Sequence, residues 1–131
     1  MEILVPVDAS RCSQRALSHA ITLAWAMEGT VDVVHFSEFE NEAVSDLEAN
    51  IQGVLEESGV GGEASIVGDI RLSSLRASNR IGSDILAYAE KGAYDHIVMG
   101  HHGTGAVGEL LLGSAAETVL KNTEIPVTVV P

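Results

Sequence analysis

The feature that most constrains this fold is the regular alternation of short β-branched runs with helical patterns along the chain. This order is typical of a parallel sheet whose strands are joined by crossover helices. The first run, Ile3–Val7, is almost entirely apolar, as expected for a strand that helices cover on both faces. With right-handed crossovers, the sequence predicts a three-layer α/β/α sandwich around an open five-stranded parallel sheet.

The individual elements follow from hydrophobic spacing and from the residues that end each pattern. Strand three is the hardest to place, because Ala64–Val67 and Leu72–Ala77 are both candidates and neither pattern is clear. The predicted elements are strand one at Ile3–Val7, a helix from about Ser10 or Ser13 to Gly29, strand two at 31–36, a helix over about 41–58, strand three within 60–80, a helix over about 79–91, strand four within 94–99, a helix over 114–122 and strand five at 127–130.

Length and composition fit one folded domain over residues 1–131. Hydrophobic residues make up 46% of the chain and charged residues 20%, which is the balance of a globular protein. Cys12 is the only cysteine, so no internal disulfide can form, and no apolar run reaches the roughly 20 residues that span a bilayer. Because the chain also opens directly on a buried strand, we expect no signal peptide, no membrane anchor and a cytoplasmic location.

The charge balance excludes one class of partner. The chain has 7 Lys and Arg residues and 19 Asp and Glu residues, which gives a net charge of −12. Nucleic-acid binding needs clustered cations, which the chain lacks. Such an acidic surface repels itself at moderate salt and is screened at high salt, so both a halophilic source and an acidic protein of a mesophile remain open.

A glycine-rich loop between strand four and the following helix is the most informative segment for function. It contains Gly100, Gly103 and Gly113, and Ser114 begins the next helix. Open backbone amides and the positive end of a helix dipole together form an anion site, most naturally for phosphates. The alternative is that the glycines serve only turns and that Ser114 serves only as the helix N-cap. In open α/β sheets, ligands bind beyond the strand ends where the winding reverses, which here singles out residues 6–9 and 99–103.

The spacing of these residues resembles a known family. Gly100, two residues, Gly103, nine residues and Gly113-Ser114 reproduce the Gly-x2-Gly-x9-Gly-Ser/Thr pattern of the ATP-binding branch of the universal stress proteins. The resemblance extends over nearly the whole chain, from Ile3–Asp8 to 125–130. It implies an adenine nucleotide alpha hydrolase-like fold with strand order 3-2-1-4-5.

The resemblance also implies which residues bind ATP. Asp8 supports this assignment by its own chemistry, since a carboxylate at a strand end can accept from ribose hydroxyls or help hold Mg²⁺. Its alternative role is the N-cap of the first helix. By analogy, Pro6, Val7 and Asp8 flank adenine and ribose, Phe36 contacts the base through its backbone, Met99 and Gly100 lie against the nucleoside, and Gly103, Gly113, Ser114 and Ala115 hold the phosphates.

Several residues depart from the family pattern or have no assigned role. No cation lies between Gly103 and Gly113, and Ala116 stands where ATP-binding relatives frequently place a hydroxyl residue. His101-His102 could suggest a metal, but the sequence offers no nearby cysteine or carboxylate to complete a zinc site. We therefore interpret the pair as phosphate-proximal or solvated, and Cys12 as a packing thiol. Trp25 is expected in the core or at an interface.

Two hypotheses of function follow. The first is a stress-response sensor or regulator whose ATP occupancy, with Mg²⁺, changes its conformation or its contacts in a homodimer, with slow hydrolysis or autophosphorylation at most. The second is an interaction module that no longer binds ATP and works through its dimer surface. In both, the resemblance implies that strand five pairs with its copy across a two-fold axis, through Val127, Val129 and Val130. No catalytic residue is assigned, because the chain lacks a Gly-Lys-Ser/Thr phosphate loop.

If the acidity reflects a high-salt source, the free energy of unfolding should rise between low and molar KCl, because screening removes surface repulsion. Urea denaturation at both salt concentrations measures this change. Stability that stays level or falls would favour the mesophilic alternative.

Overall fold

The computed structural model describes residues 1–37, 41–68, 77–102 and 112–131. Their strands form one parallel sheet in the order β3-β2-β1-β4-β5, which confirms the predicted architecture and strand order. The elements are β1 (Glu2–Pro6), α1 (Arg11–Met27), β2 (Thr30–Ser37), α2 (Glu42–Ser58), β3 (Ala64–Gly68), α3 (Ala77–Lys91), β4 (His96–Gly100), α4 (Ser114–Asn122) and β5 (Val127–Val130).

Strand three is the first of the two candidate segments. β3 pairs with β2 in parallel register, with Val33 opposite Ala64 and Ser37 opposite Gly68. The other candidate, Leu72–Ala77, falls outside the described residues except for Ala77, which begins α3. β3 is only half-buried at the edge of the sheet, and this explains why its hydrophobic pattern is weak.

Side-chain caps fix where the first two helices begin. The Ser10 hydroxyl accepts a hydrogen bond from the Ser13 amide at 3.2 Å, and the Asn41 side chain accepts from the Val44 amide at 3.0 Å. These contacts satisfy amides that have no partner within the helix. α2 ends at Gly59, whose φ of 71° is the left-handed conformation that favours glycine.

Two apolar layers hold the helices against the sheet. α1 and α2 cover one face, where Ile3, Val5 and Val31 are fully buried, and α3 and α4 cover the other, against Leu4 and Ile97. Alternate residues of a strand point to opposite faces, so consecutive apolar residues of β1 serve both layers.

Trp25 is not a core residue, which was one of the two locations expected from the sequence; its location at an interface stays a prediction. Its side chain is 64% exposed, because it lies on the outer side of α1 and its indole Nε1 donates to the carbonyl of Ser58 at 3.0 Å. Met27 is also exposed, at 51%. In the part of the chain that the structure describes, no helix is both long enough and apolar enough to cross a membrane.

The histidine of β4 should make stability depend on pH. His96 Nε2 lies 2.7 Å from the Thr128 hydroxyl, and burial, followed by the nearby His19, lowers the pKa of His96 below its ordinary 6.5. The unfolded chain then takes up this proton more readily than the folded chain. Stability should therefore fall as the pH drops below 6.5, towards the pKa of the folded state.

Replacing His96 with glutamine should remove this part of the pH dependence while keeping an amide near Thr128. Urea denaturation of the parent protein and of His96→Gln, at several pH values on either side of 6.5, measures the difference. Identical slopes of stability against pH in the two proteins would contradict the assignment.

Candidate functional site

The candidate site lies where the winding of the sheet reverses, between β1 and β4. These two strands pair in parallel, with Ile3 opposite His96 and Leu4 opposite Ile97, so their carboxyl ends reach the same edge of the sheet. The connections that follow them begin with Val7 and His101. Open α/β sheets bind ligands at this place, because the two connections turn away in opposite directions and leave a crevice.

Val7 is fixed by hydrogen bonds from both sides of its backbone. Its amide donates to the carbonyl of Val34 at 2.8 Å, and its carbonyl lies 2.8 Å from Nδ1 of His35. A carbonyl can only accept, so Nδ1 of His35 carries the proton. This contact gives His35 a role in positioning the β1–α1 connection.

Asp8 is half-buried and is held in a tight turn before α1. Its Oδ1 accepts from the Ser10 amide at 2.8 Å, and the Ser13 hydroxyl donates to its carbonyl at 2.7 Å. The sequence left open that Asp8 is only the N-cap of the first helix. This alternative is wrong, since Ser10 is the N-cap of α1.

A cleft of about 440 Å³ adjoins Asp8, between α1 and α2. Its walls combine apolar side chains with a few polar groups, which is the usual composition of a small-molecule site. The lining residues are Val7, Asp8, Ser13, Gln14, Leu17, Ser18, Ile21, Thr22, Leu47, Asn50, Ile51 and Val54.

Three of the predicted nucleoside contacts are residues whose side chains belong to the interior. Pro6 is buried at the end of β1, and Met99 is 4% exposed in the layer beneath α3 and α4. The Phe36 ring packs edge-on against Tyr88 of α3, with 6.1 Å between ring centroids. The sequence-based prediction for Phe36 was a contact of its backbone with the base. That backbone lies near the carboxyl end of β2, at the same edge of the sheet as the ends of β1 and β4.

The glycines at both ends of the predicted phosphate loop are required by packing within the chain. A Cβ atom on Gly100 would lie 2.8 Å from Cβ of Cys12, and one on Gly113 would lie 2.9 Å from Cα of His102. Either distance is shorter than ordinary van der Waals contact, so a larger residue would push α1 or the loop away. Gly103, the middle glycine of the motif, lies outside the described residues.

The N-terminus of α4 differs from the capped starts of α1 and α2. Its N-cap is Gly113 in extended conformation, with no side-chain cap bond, so Ser114 is the first helical residue and not the cap. Ser114 is exposed and Ala115 is half-buried. Ala116 is 2% exposed and packs in the core with α3, so its position faces the interior and not the site.

The structure brings together three side chains that the sequence did not connect. Cys12 Sγ lies 3.6 Å from Nδ1 of His101 and 3.4 Å from Nε2 of His102. The sequence-based statement that no cysteine stands near the histidine pair is therefore wrong. The signal that could have revealed it is topological. Cys12 lies just after β1 and the histidine pair lies just after β4, and these two strands are neighbours in the sheet.

β5, the predicted dimer strand, is at the edge of the described sheet and pairs with β4 alone there. Val127 packs towards α3 and α4, and Val130 towards α1 and α2. Val129 is half-buried. The outer backbone edge of β5 therefore remains as the surface that pairing with a second copy would use.

Comparison with known proteins places this geometry in a family. The sequence model of the universal stress protein family matches residues 1–131. A universal stress protein of Methanocaldococcus jannaschii is 31% identical over 147 residues, covering 98% of this chain and 81% of the relative. The solved structure of the Archaeoglobus fulgidus universal stress protein in complex with dAMP has a TM-score of 0.75 and 22% identity, covering 100% of this chain and 98% of its own.

A further solved universal stress protein, in complex with cAMP, has a TM-score of 0.76 and 19% identity, covering 99% of this chain and 95% of its own. At 22% and 19% identity, these two solved structures support the fold alone. Membership of the family rests on the sequence model, which matches residues 1–131, and on the archaeal relative, which covers 98% of the chain. The chain belongs to the universal stress protein family.

Proposed function

We propose that this protein binds ATP with Mg²⁺ at the β1–β4 edge of the sheet and acts as a nucleotide-dependent regulator of the stress response through a homodimer. The observation that carries the proposal is Asp8, a half-buried carboxylate that follows β1 where the winding reverses and that also borders the cleft between α1 and α2. The complexes of two relatives with dAMP and cAMP support an adenine nucleotide as the ligand.

Asp8 has the chemistry that the sugar end of a nucleotide needs. Its Oδ1 is oriented by the Ser10 amide, and a carboxylate has acceptor capacity beyond one hydrogen bond. Ribose hydroxyls can donate to it, and a phosphate-bound Mg²⁺ can take it as an oxygen ligand. Pro6, Val7, Phe36, Met99 and Gly100 would form the surroundings of the base and ribose in this proposal.

The N-terminus of α4 is the proposed phosphate site. Gly113 offers no side chain to the first-turn amides, and the exposed Ser114 adds a hydroxyl there. Amides at a helix start, together with the helix dipole, favour bound anions. Ala115 and, from the sequence pattern, Gly103 complete the proposed set.

Regulation by occupancy suits these residues better than rapid turnover does. Phosphoryl transfer is accelerated by groups that neutralise charge in the transition state, and the sequence has no arginine between Met99 and Leu120. We therefore assign no catalytic residue, and we expect ATP to act by being bound.

A second function is favoured by one feature of the same segment. Residues 104–112 contain no Lys or Arg that could offset the charge of a bound phosphate. This absence weakens phosphate binding. In this alternative the protein is an interaction module that works through its dimer surface without ATP.

Replacing Asp8 with asparagine should weaken ATP binding roughly ten- to a hundredfold, because a charge-assisted hydrogen bond contributes about 1.5–3 kcal/mol. Asparagine keeps an oxygen that can accept from the Ser10 amide, so the turn before α1 should persist. Calorimetric titration of nucleotide-free protein with ATP and Mg²⁺ measures the change.

The matched control is Asp95→Asn, at the opposite edge of the sheet, where the carboxylate accepts from the Glu2 amide. This variant should bind ATP like the parent protein. Gly113→Val is a poorer test, because its side chain would collide with His102 whether or not a nucleotide binds. Parent protein that binds no ATP at millimolar concentration would contradict the proposal and favour the interaction module.

Replacing Val129 with aspartate should convert the proposed homodimer into a monomer, because pairing of two β5 edges would place two carboxylates in a desolvated interface. Sedimentation or light scattering measures the mass in solution, and circular dichroism checks the fold. Val44→Asp, on α2 and equally half-buried, should leave the mass unchanged. A Val129→Asp variant that keeps the dimer mass would show that another surface forms the interface.

A further inference from the structure

We propose that Cys12, His101 and His102 form a zinc site with three protein ligands and an open fourth position. The three residues offer one sulfur and two imidazole nitrogens, and these ligand atoms all lie within 4.8 Å of one another. The cluster adjoins the proposed phosphate site, since Gly113 contacts His102, but the zinc proposal rests on the three side chains and requires no bound nucleotide.

The distances match those between neighbouring ligands of one zinc ion. In tetrahedral geometry, with Zn–S of about 2.3 Å and Zn–N of about 2.0–2.1 Å, a sulfur and a nitrogen lie about 3.6 Å apart. Cys12 Sγ is 3.6 Å from Nδ1 of His101 and 3.4 Å from Nε2 of His102. Both nitrogens of the His102 ring approach the sulfur, with Nδ1 at 3.8 Å, so a small ring rotation would direct Nε2 at the ion.

The ligands sit on backbone that the fold already holds. The amide of His101 donates to the carbonyl of Val130 at 2.8 Å, and its own carbonyl accepts from the Gly113 amide at 2.7 Å. Gly100 lets the first turn of α1 approach β4 closely enough for Cys12 to reach the histidines. Metal sites gain affinity when the chain does not have to rearrange to form them.

An arginine orients the cysteine. Cys12 is 1% exposed, and a guanidinium nitrogen of Arg15 lies 3.4 Å from its sulfur. Arg15 is itself oriented by the carbonyl of Pro131, at 2.5 Å from Nε. Hydrogen bonds to a metal ligand from its surroundings fix the direction in which the ligand points. The histidine rings are partly exposed, so an ion can enter from their side.

The donor set selects the class of metal. One thiolate and two imidazoles suit zinc, whereas Mg²⁺ and Ca²⁺ prefer oxygen ligands. Zinc sites with three protein ligands keep a fourth position for water or an anion. The net charge of −12 adds a general attraction for cations.

Cobalt(II) is the probe for this site, because it adopts zinc geometry and its thiolate complexes absorb strongly. Nucleotide-free, reduced protein should bind one cobalt ion with a thiolate-to-cobalt charge-transfer band, and zinc should displace it. Cys12→Ser and His102→Ala should each weaken binding more than about tenfold, since even changes around the ligands have effects of that size. His19→Ala, an exposed histidine on α1, should bind like the parent protein.

Thermal unfolding separates loss of the site from loss of the fold. Zinc should raise the melting temperature of the parent protein and of His19→Ala, and should leave that of Cys12→Ser unchanged. Absence of the charge-transfer band, or equal binding by parent and Cys12→Ser, would overturn the proposal and reduce the cluster to a packing contact. Binding of copper(I) without cobalt or zinc would overturn the zinc assignment.

Discussion

The pairing of β1 with β4 is the interaction on which the rest of the structure depends. Ile3, Leu4, Ile97 and Val98 of these central strands are fully buried. Burying one such side chain contributes about 1.5–3 kcal/mol, whereas a typical hydrogen bond contributes about 1 kcal/mol net. The hydrogen bonds of the site therefore do not determine where the two strand ends meet. Packing of the apolar core determines where these ends meet. It thereby brings the polar residues that follow each strand to the same edge of the sheet.

The first turn of α1 then divides that edge into two parts. Gln14 and Leu17 lie on the side that faces α2 and the cleft beside Asp8. Cys12 and Arg15, three residues apart and thus neighbours on the helix surface, lie on the side that faces the end of β4. One helix start can in this way serve an oxygen-rich site for a sugar and a sulfur–nitrogen site for a metal without the two sharing side chains.

The sequence predicted the parts of this structure that local patterns encode. Helices and buried strands have regular apolar spacing, so most elements and the class of fold followed from it, and the strand order followed from the family resemblance. β3 was ambiguous because an edge strand is only half-buried. The cysteine–histidine cluster was missed because Cys12 and His101 are 89 positions apart, and only the topology of the sheet brings them together. The predicted bounds of α4, 114–122, match the structure, and only the alternative that Ser114 serves as its N-cap is wrong, since Gly113 holds that position.

The central claim is that the β1–β4 edge binds an adenine nucleotide, and amide chemical shifts of labelled protein during an ATP titration test it most directly. We predict saturable shifts at Val7, Asp8, Gly100 and the 113–115 amides, with little change at Glu2 on the opposite edge of the sheet. Spectra that do not change at millimolar ATP, or shifts centred on that opposite edge, would contradict the account.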